Sequence, residues 1–221
     1  MHEDTIRDIR KRCRLAMNGV ASTSMRQKGM SYKINFGLLI PQIKEMAGLY
    51  QPDSELAKSL WKEDTRELKI LGTLLFPTDK YTEVDAAEWI KEINNQEIRE
   101  QVCFNLFQNL SFADKLALDW SKSDTEEMRI TGYWLLVRLL MLRKTEVSTL
   151  DSFYYIITDS ASTNIFLRNA ALLALKHIGR QNQTIADQIL KKLSVYKEDT
   201  NTLKQEAYNS IAFEFEFFHS T

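Results

Sequence analysis

DTEEMRITGYWLL (Asp124–Leu136) decides the fold, because its pattern recurs four more times: DTRELKILGTLLF from Asp64, NNQEIREQVCFNL from Asn94, TNIFLRNAALLAL from Thr163 and DTNTLKQEAYNSI from Asp199. The five segments start 30, 30, 39 and 36 residues apart. Each carries a basic residue five positions in: Lys69, Arg99, Arg129, Arg168 and Lys204. An apolar residue precedes it (Leu68, Ile98, Met128, Leu167, Leu203), a small or short one follows three later (Gly72, Val102, Gly132, Ala171, Ala207), and an apolar one four after that (Phe76, Leu106, Leu136, Leu175, Ile211). Positions spaced by four share one face of a helix, so each segment predicts a helix with one buried stripe. A small residue in the middle of the stripe lets a neighbouring helix approach closely. The opening Asp, Asn or Thr is expected to cap the helix by accepting otherwise unpaired N–H groups.

Amphipathic stretches at 53–63, 83–93, 112–122, 148–159 and 183–197 precede these helices, which makes five helical hairpins in tandem. Paired helices at such a period define an α-solenoid, because a lone hairpin cannot bury its own stripe and must stack on the next. The form resembles HEAT repeats. The fold expected is therefore all-α, a superhelix of about five to six HEAT-like hairpins in one domain over 1–221. Residues 1–50 stand outside the register: a basic helix over Thr5–Met17 stopped by Gly19, a short helix over Ser22–Met30, and a helix from Leu39 to Tyr50 with Pro41 in its first turn. Hairpins fill 53–213, and 214–221 forms a tail. Phe213, Phe215 and Phe217 alternate with Glu214 and Glu216, which suits either an extended segment or a helix end.

Composition agrees. Only 7 Gly and 3 Pro occur in 221 residues, too few for a many-turned β protein or for Gly-rich phosphate loops. Cys13 and Cys103 are lone residues within helical patterns, and His2, His177 and His219 are scattered, which argues against a metal site, a disulfide framework or a catalytic relay. No cofactor is implied. The charged N-terminus lacks a secretion signal, and the most apolar run, Tyr133–Leu142, is too short to span a bilayer, so a cytoplasmic protein without membrane contact is expected. Trp61, Trp89 and Trp120 read as packing residues, and Trp134 as core or inner surface. Net charge is -1, yet residues 1–44 hold nine Lys/Arg against Glu3, Asp4 and Asp8; that +6 leaves -7 for the rest. A basic segment on an acidic body can hold a polyanion or be merely a solvated face.

The stretch Met25-Arg26-Gln27-Lys28-Gly29-Met30-Ser31-Tyr32-Lys33-Ile34-Asn35-Phe36-Gly37, followed by Pro41, resembles the N-terminal signature of the AlkD-like DNA alkylation repair proteins. Leu60-Trp61 and Arg66-Glu67 resemble that family's next segment, and the hairpins its HEAT-like body. The resemblance implies a solenoid that grips duplex DNA in a concave basic groove. Its active members are glycosylases that hydrolyse the N-glycosidic bond of purines alkylated at N3 or N7. There a carboxylate stabilises an oxocarbenium-like transition state and tryptophans contact the cationic nucleotide. The catalytic Asp of the family matches Glu100 here, one methylene longer. Its Trp-Trp pair matches Asn95-Gln96, and another cleft Trp matches Leu173, so the aromatics are missing.

Three readings follow: a glycosylase with Glu100 catalytic; a non-catalytic relative that binds nucleic acid through the same groove; and a HEAT-type scaffold with a protein partner. Under the first two, Arg99, Arg129, Arg168, Lys28 and Lys33 are the expected DNA contacts. For the repeated Lys/Arg positions the competing role is bonding between repeats.

Overall fold

The computed structural model describes residues 2–219. Among them it holds thirteen α-helices and no strand; one isolated bridge pairs Ile34 with Thr65. The helices form two compact units, one ending at Leu110 and the other beginning at Ser111. The first contains α1 (Glu3–Leu15), α2 (Gly19–Gln27), α3 (Ile40–Ala47), α4 (Ser54–Trp61), α5 (Arg66–Leu75), α6 (Glu83–Trp89) and α7 (Gln96–Asn105). The second contains α8 (Ala113–Ser121), α9 (Glu126–Met141), α10 (Ile156–Asp159), α11 (Ile165–Gly179), α12 (Gln183–Leu193) and α13 (Thr202–His219). No helix of the described residues is long and apolar enough to cross a membrane.

All five hairpins are present. Most positions that define the repeat are core: Leu68, Ile98, Leu167, Val102, Ala171, Ala207, Leu106, Leu175 and Ile211 are each at most 1% exposed, while Met128 and Leu203 are half-buried. The small slot works as expected in the third hairpin. A Cβ on Gly132 would lie 2.6 Å from the Ser121 N and 2.9 Å from the Trp120 carbonyl carbon, so α9 rests directly on the backbone of α8. The stripe is wide enough to bury the outer helices too. Trp61 and Trp89, from successive first helices, stack with centroids 4.3 Å apart and planes 4° from parallel.

The cap is displaced by one residue from its expected place. Thr65, Asn95, Thr125 and Asn164 occupy the capping positions of α5, α7, α9 and α11, not Asp64, Asn94, Asp124 and Thr163, and only the two asparagines accept a helix N–H through their side chains. Each capping carbonyl accepts the backbone N–H of the repeat's basic residue (Lys69, Arg99, Arg129, Arg168) at 2.9–3.3 Å, and this first helical bond sets the register. The residue before stays in the turn, where the Asp64 carbonyl accepts from the Ile34 N–H and the Asp124 carboxylate from the Tyr155 hydroxyl.

Three further segments differ. Gly19 begins α2, with Asn18 as its cap, rather than ending α1. The first helix of the fourth hairpin shrinks to a 3-10 turn at Leu150–Ser152 and the single turn of α10. Its run of aromatic and β-branched residues, Phe153 to Thr158, loses side-chain freedom in a helix and disfavours a longer one. The Phe/Glu alternation near the end is helical: Phe215 is buried against Gly179 while Phe213 and Phe217 are exposed. The last two residues of the expected tail, 220 and 221, lie outside the described residues.

Candidate nucleic-acid interface

The repeated cations turn inward. Lys69 Nζ donates to the Trp61 carbonyl at 2.6 Å, at the open end of α4, and pairs with Glu92 at 3.4 Å. Arg129 Nη1 donates to the carbonyls of Ser123 and Asp124, while Nε and Nη2 grip Asp159 at 2.7 and 3.0 Å. Arg168 Nη1 donates to the Ser162 carbonyl at 2.5 Å, and Lys204 pairs with Asp199 at 2.8 Å. Lys69, Arg129 and Arg168 thus reach back over their own interhelical turns to carbonyls left unpaired there, whereas Lys204 meets a carboxylate. In the first and third hairpins it also binds an acid of the next. Arg129 is 7% exposed and Arg99 3%, so neither guanidinium lies open on the surface; Arg168 is half-buried.

Glu100 lies in the first turns of α7, half-buried. Gln96 Nε2 donates to its Oε1 at 2.9 Å, and Gln96 Oε1 accepts from Arg99 Nη1 at 2.8 Å. Residues matching the family's tryptophan pair therefore have other work: Asn95 caps α7 and Gln96 links Arg99 to Glu100. Phe104, one turn after Glu100, already has the Lys44 ammonium 4.7 Å from its ring centroid. The candidates divide between the units, with Lys28, Lys33, Arg99 and Glu100 in the first and Arg129 and Arg168 in the second.

Helix α7 is held by Arg66 of α5 and by Tyr32 of the Met25–Gly37 stretch, and that stretch in turn by Glu67, residues whose role sequence reasoning missed. Glu67, wholly buried, accepts the backbone N–H groups of Phe36 and Gly37 at 3.0 Å each and of Leu38 at 3.2 Å. Gly37 has φ +78°, and a Cβ there would sit 2.1 Å from the Asn18 carbonyl oxygen, so only glycine fits. Beside Glu67, Arg66 is 1% exposed. It donates to the Leu38 carbonyl at 2.7 Å and grips Glu97 of α7 through Nε and Nη2, the latter at 2.7 Å. Tyr32 donates to Asn95 at 3.2 Å; burial, with Glu97 close by, pushes its phenol up and keeps it a donor. The adjacent Arg66-Glu67 pair was the available signal, since neighbouring opposite charges on an otherwise apolar helix need buried partners.

The surface charge sits elsewhere. Lys11, Arg14, Arg26, Lys28 and Lys33 are exposed and form no ion pair among the described residues. No group of three metal-ligating side chains occurs there either.

Comparison with known proteins agrees with this arrangement. Residues 20–211 match the model of a family described as DNA alkylation repair enzyme. A solved structure, described as a new family of proteins related to the HEAT-like repeat DNA glycosylases with affinity for branched DNA structures, superposes with a TM-score of 0.73. That likeness covers 96% of this chain and 94% of the other at 15% identity, and shows the HEAT-like helical fold. No curated protein matches the chain. With the family model spanning the signature, the buried network beneath it and the five hairpins, the chain belongs to the DNA alkylation repair enzyme family.

Proposed function

We propose that the protein binds DNA through its sugar–phosphate backbone, duplex and branched forms alike. The observation that carries this reading is the set of five exposed, unpaired cations between Lys11 and Lys33, in a member of a DNA repair family. Cations without acid partners are free to displace the counterions of a polyanion, the main source of affinity for DNA. The likeness to a protein with affinity for branched DNA supports including branched forms. Lys28 and Lys33 are the contacts of choice, with Arg168 third. Arg129 serves to hold helices, and Arg99, buried, orients Gln96 on its own helix.

Excision of an N3- or N7-alkylated purine is the second reading. It is favoured by Glu100, a carboxylate held in one orientation by Gln96. Against it stands the replacement of the family's aromatic pair by Asn95 and Gln96, which gives a cationic base nothing to stack on.

A gel-shift titration with duplex and four-way-junction DNA across salt tests binding. A linear fall of log K with log salt supports it, and no binding at low salt overturns it in favour of a protein-interaction scaffold. Incubation with duplex containing N7-methylguanine tests excision. Base release abolished by Glu100→Gln supports it, and release no greater than that of this variant refutes it.

A further inference from the structure

The second unit holds a cavity of about 650 Å³ at the ends of α9, α11 and α13 and beside the start of α12. Arg143, His177 and Arg180 line it, with Ser148 supplying a hydroxyl and Phe218 an aromatic wall. Of the lining residues only Glu146 is a carboxylate, and it is exposed. Arg180 is held at one edge by Glu214, which accepts its Nε at 2.8 Å and also pairs with Lys176. The loop that forms another wall is pinned by Gln181, whose side chain accepts the Val147 N–H at 3.0 Å and donates to the Ile178 carbonyl at 2.9 Å.

Arg143 is the unusual member. Among the described residues it is the one non-glycine residue with positive φ, +54°, at the end of α9, where the chain leaves the helix in the left-handed conformation that glycine adopts most easily. Its N–H bonds the Leu140 carbonyl and the next N–H bonds that of Leu139, which hold this conformation. Its guanidinium is exposed and has no acid partner. An arginine in a glycine position costs conformational strain, and a strained residue in a cavity points to a function for its side chain. A planar guanidinium with free donors, a second one fixed nearby, an imidazole and a hydroxyl suit the oxygens of a phosphate.

We propose that this cavity binds a phosphate group, supplied by the backbone of a DNA strand, and that Arg143 is its principal contact. The proposal rests on the DNA-binding reading for the source of the phosphate, and the test separates the two. Arg143→Gly removes the guanidinium while placing the residue the backbone prefers, so the variant should melt at or above the wild-type temperature. Its DNA affinity should drop, with the slope of log K against log salt shallower by about one, and Arg143→Lys should restore part of both. In parallel, inorganic phosphate is titrated into the wild-type protein while the imidazole resonances of His177 are followed by NMR. Saturable shifts, absent in Arg143→Gly, support the site. If DNA affinity and slope are unchanged in Arg143→Gly but the phosphate shifts appear, the site stands with free phosphate as its source. If the wild type binds no DNA at all, the DNA reading fails and the phosphate titration alone decides. Unchanged DNA binding together with an unmoved His177 overturns the proposal.

Discussion

The carboxylate of Glu67 accepts the backbone N–H of Gly37 at 3.0 Å, and through this bond the loop ending at Gly37 is fastened to the first hairpin. Two more N–H groups and Arg66 converge on the same carboxylate, in a site closed to water. Replacing Glu67 with Gln would turn an amide NH2 toward donors and leave part of the Arg66 charge uncompensated. A loss of about 3 kcal/mol is expected, in the range for breaking a buried pair. Urea denaturation should show the midpoint shift; an unchanged midpoint would refute the role given to this carboxylate.

Arg129 makes a separable prediction because its place in the repeat also suits a DNA contact. If it is a staple, Arg129→Ala strands Asp159, which keeps only the Tyr133 hydroxyl at 2.8 Å, and stability falls by about 3–5 kcal/mol. Arg129→Lys also loses stability, since one ammonium cannot reproduce the two-point grip. Thermal unfolding measures both. Wild-type stability in Arg129→Ala, coupled with weakened DNA binding, would reverse the assignment.

Lys28 and Lys33 are exposed, so the double variant Lys28→Ala/Lys33→Ala should leave the melting temperature within a degree or two while weakening DNA binding. The log–log salt slope should become shallower by about two, one for each phosphate that no longer meets a lysine. A fluorescence-anisotropy titration at several salt concentrations reads this directly, and an unaltered slope would remove these residues from the interface.

Gly132→Ala tests the close approach of α9 to α8. Alanine gains roughly 1 kcal/mol of helix propensity over glycine. The new Cβ, however, would press on the backbone at Ser121 and Trp120, which cannot rotate away. Net destabilisation of about 1–3 kcal/mol is expected from such overpacking. Chemical denaturation checks the sign, which is the informative part.

Acid should act through Asp85. Burial alone would raise this carboxyl, but hydrogen bonds from Thr82 and from Lys58 outweigh it and hold the group below its ordinary value. A carboxyl depressed in the folded state contributes stability above its unfolded value near about 4, and that contribution is lost as pH falls through the folded value. The melting temperature should therefore decline below about pH 4, and less steeply in Asp85→Asn. Parallel slopes for the two proteins would exclude Asp85 as a source of acid lability.

The hairpins were legible because burial leaves a periodic mark: Leu68, Gly72 and Phe76, or Met128, Gly132 and Leu136, record one face of a helix whatever surrounds it. Caps were misplaced by one because Asp64 and Thr65, or Asp124 and Thr125, are both of capping type and the threonines take the position without using their side chains. Which one serves depends on the backbone bond made by Lys69 or Arg129. The direction of the repeated cations was hidden for a related reason. Their acceptors are carbonyls of Trp61, Ser123 and Ser162, and a carbonyl is the same at every position of a sequence. Family resemblance located Glu100 and the absent tryptophans. Only the folded chain shows that Gln96 joins Arg99 to that carboxylate.

The stack of Trp61 on Trp89 has an optical consequence. Two indoles in face-to-face contact at 4.3 Å couple through their intense far-ultraviolet transitions, and wherever those moments are skewed within the ring planes the pair gives a circular dichroism couplet that neither ring has alone. Both rings belong to the first unit, one on each of two successive hairpins. The resulting far-ultraviolet couplet is therefore a built-in gauge of whether those hairpins are in register. It follows the seating of α6 on α4 without any added dye.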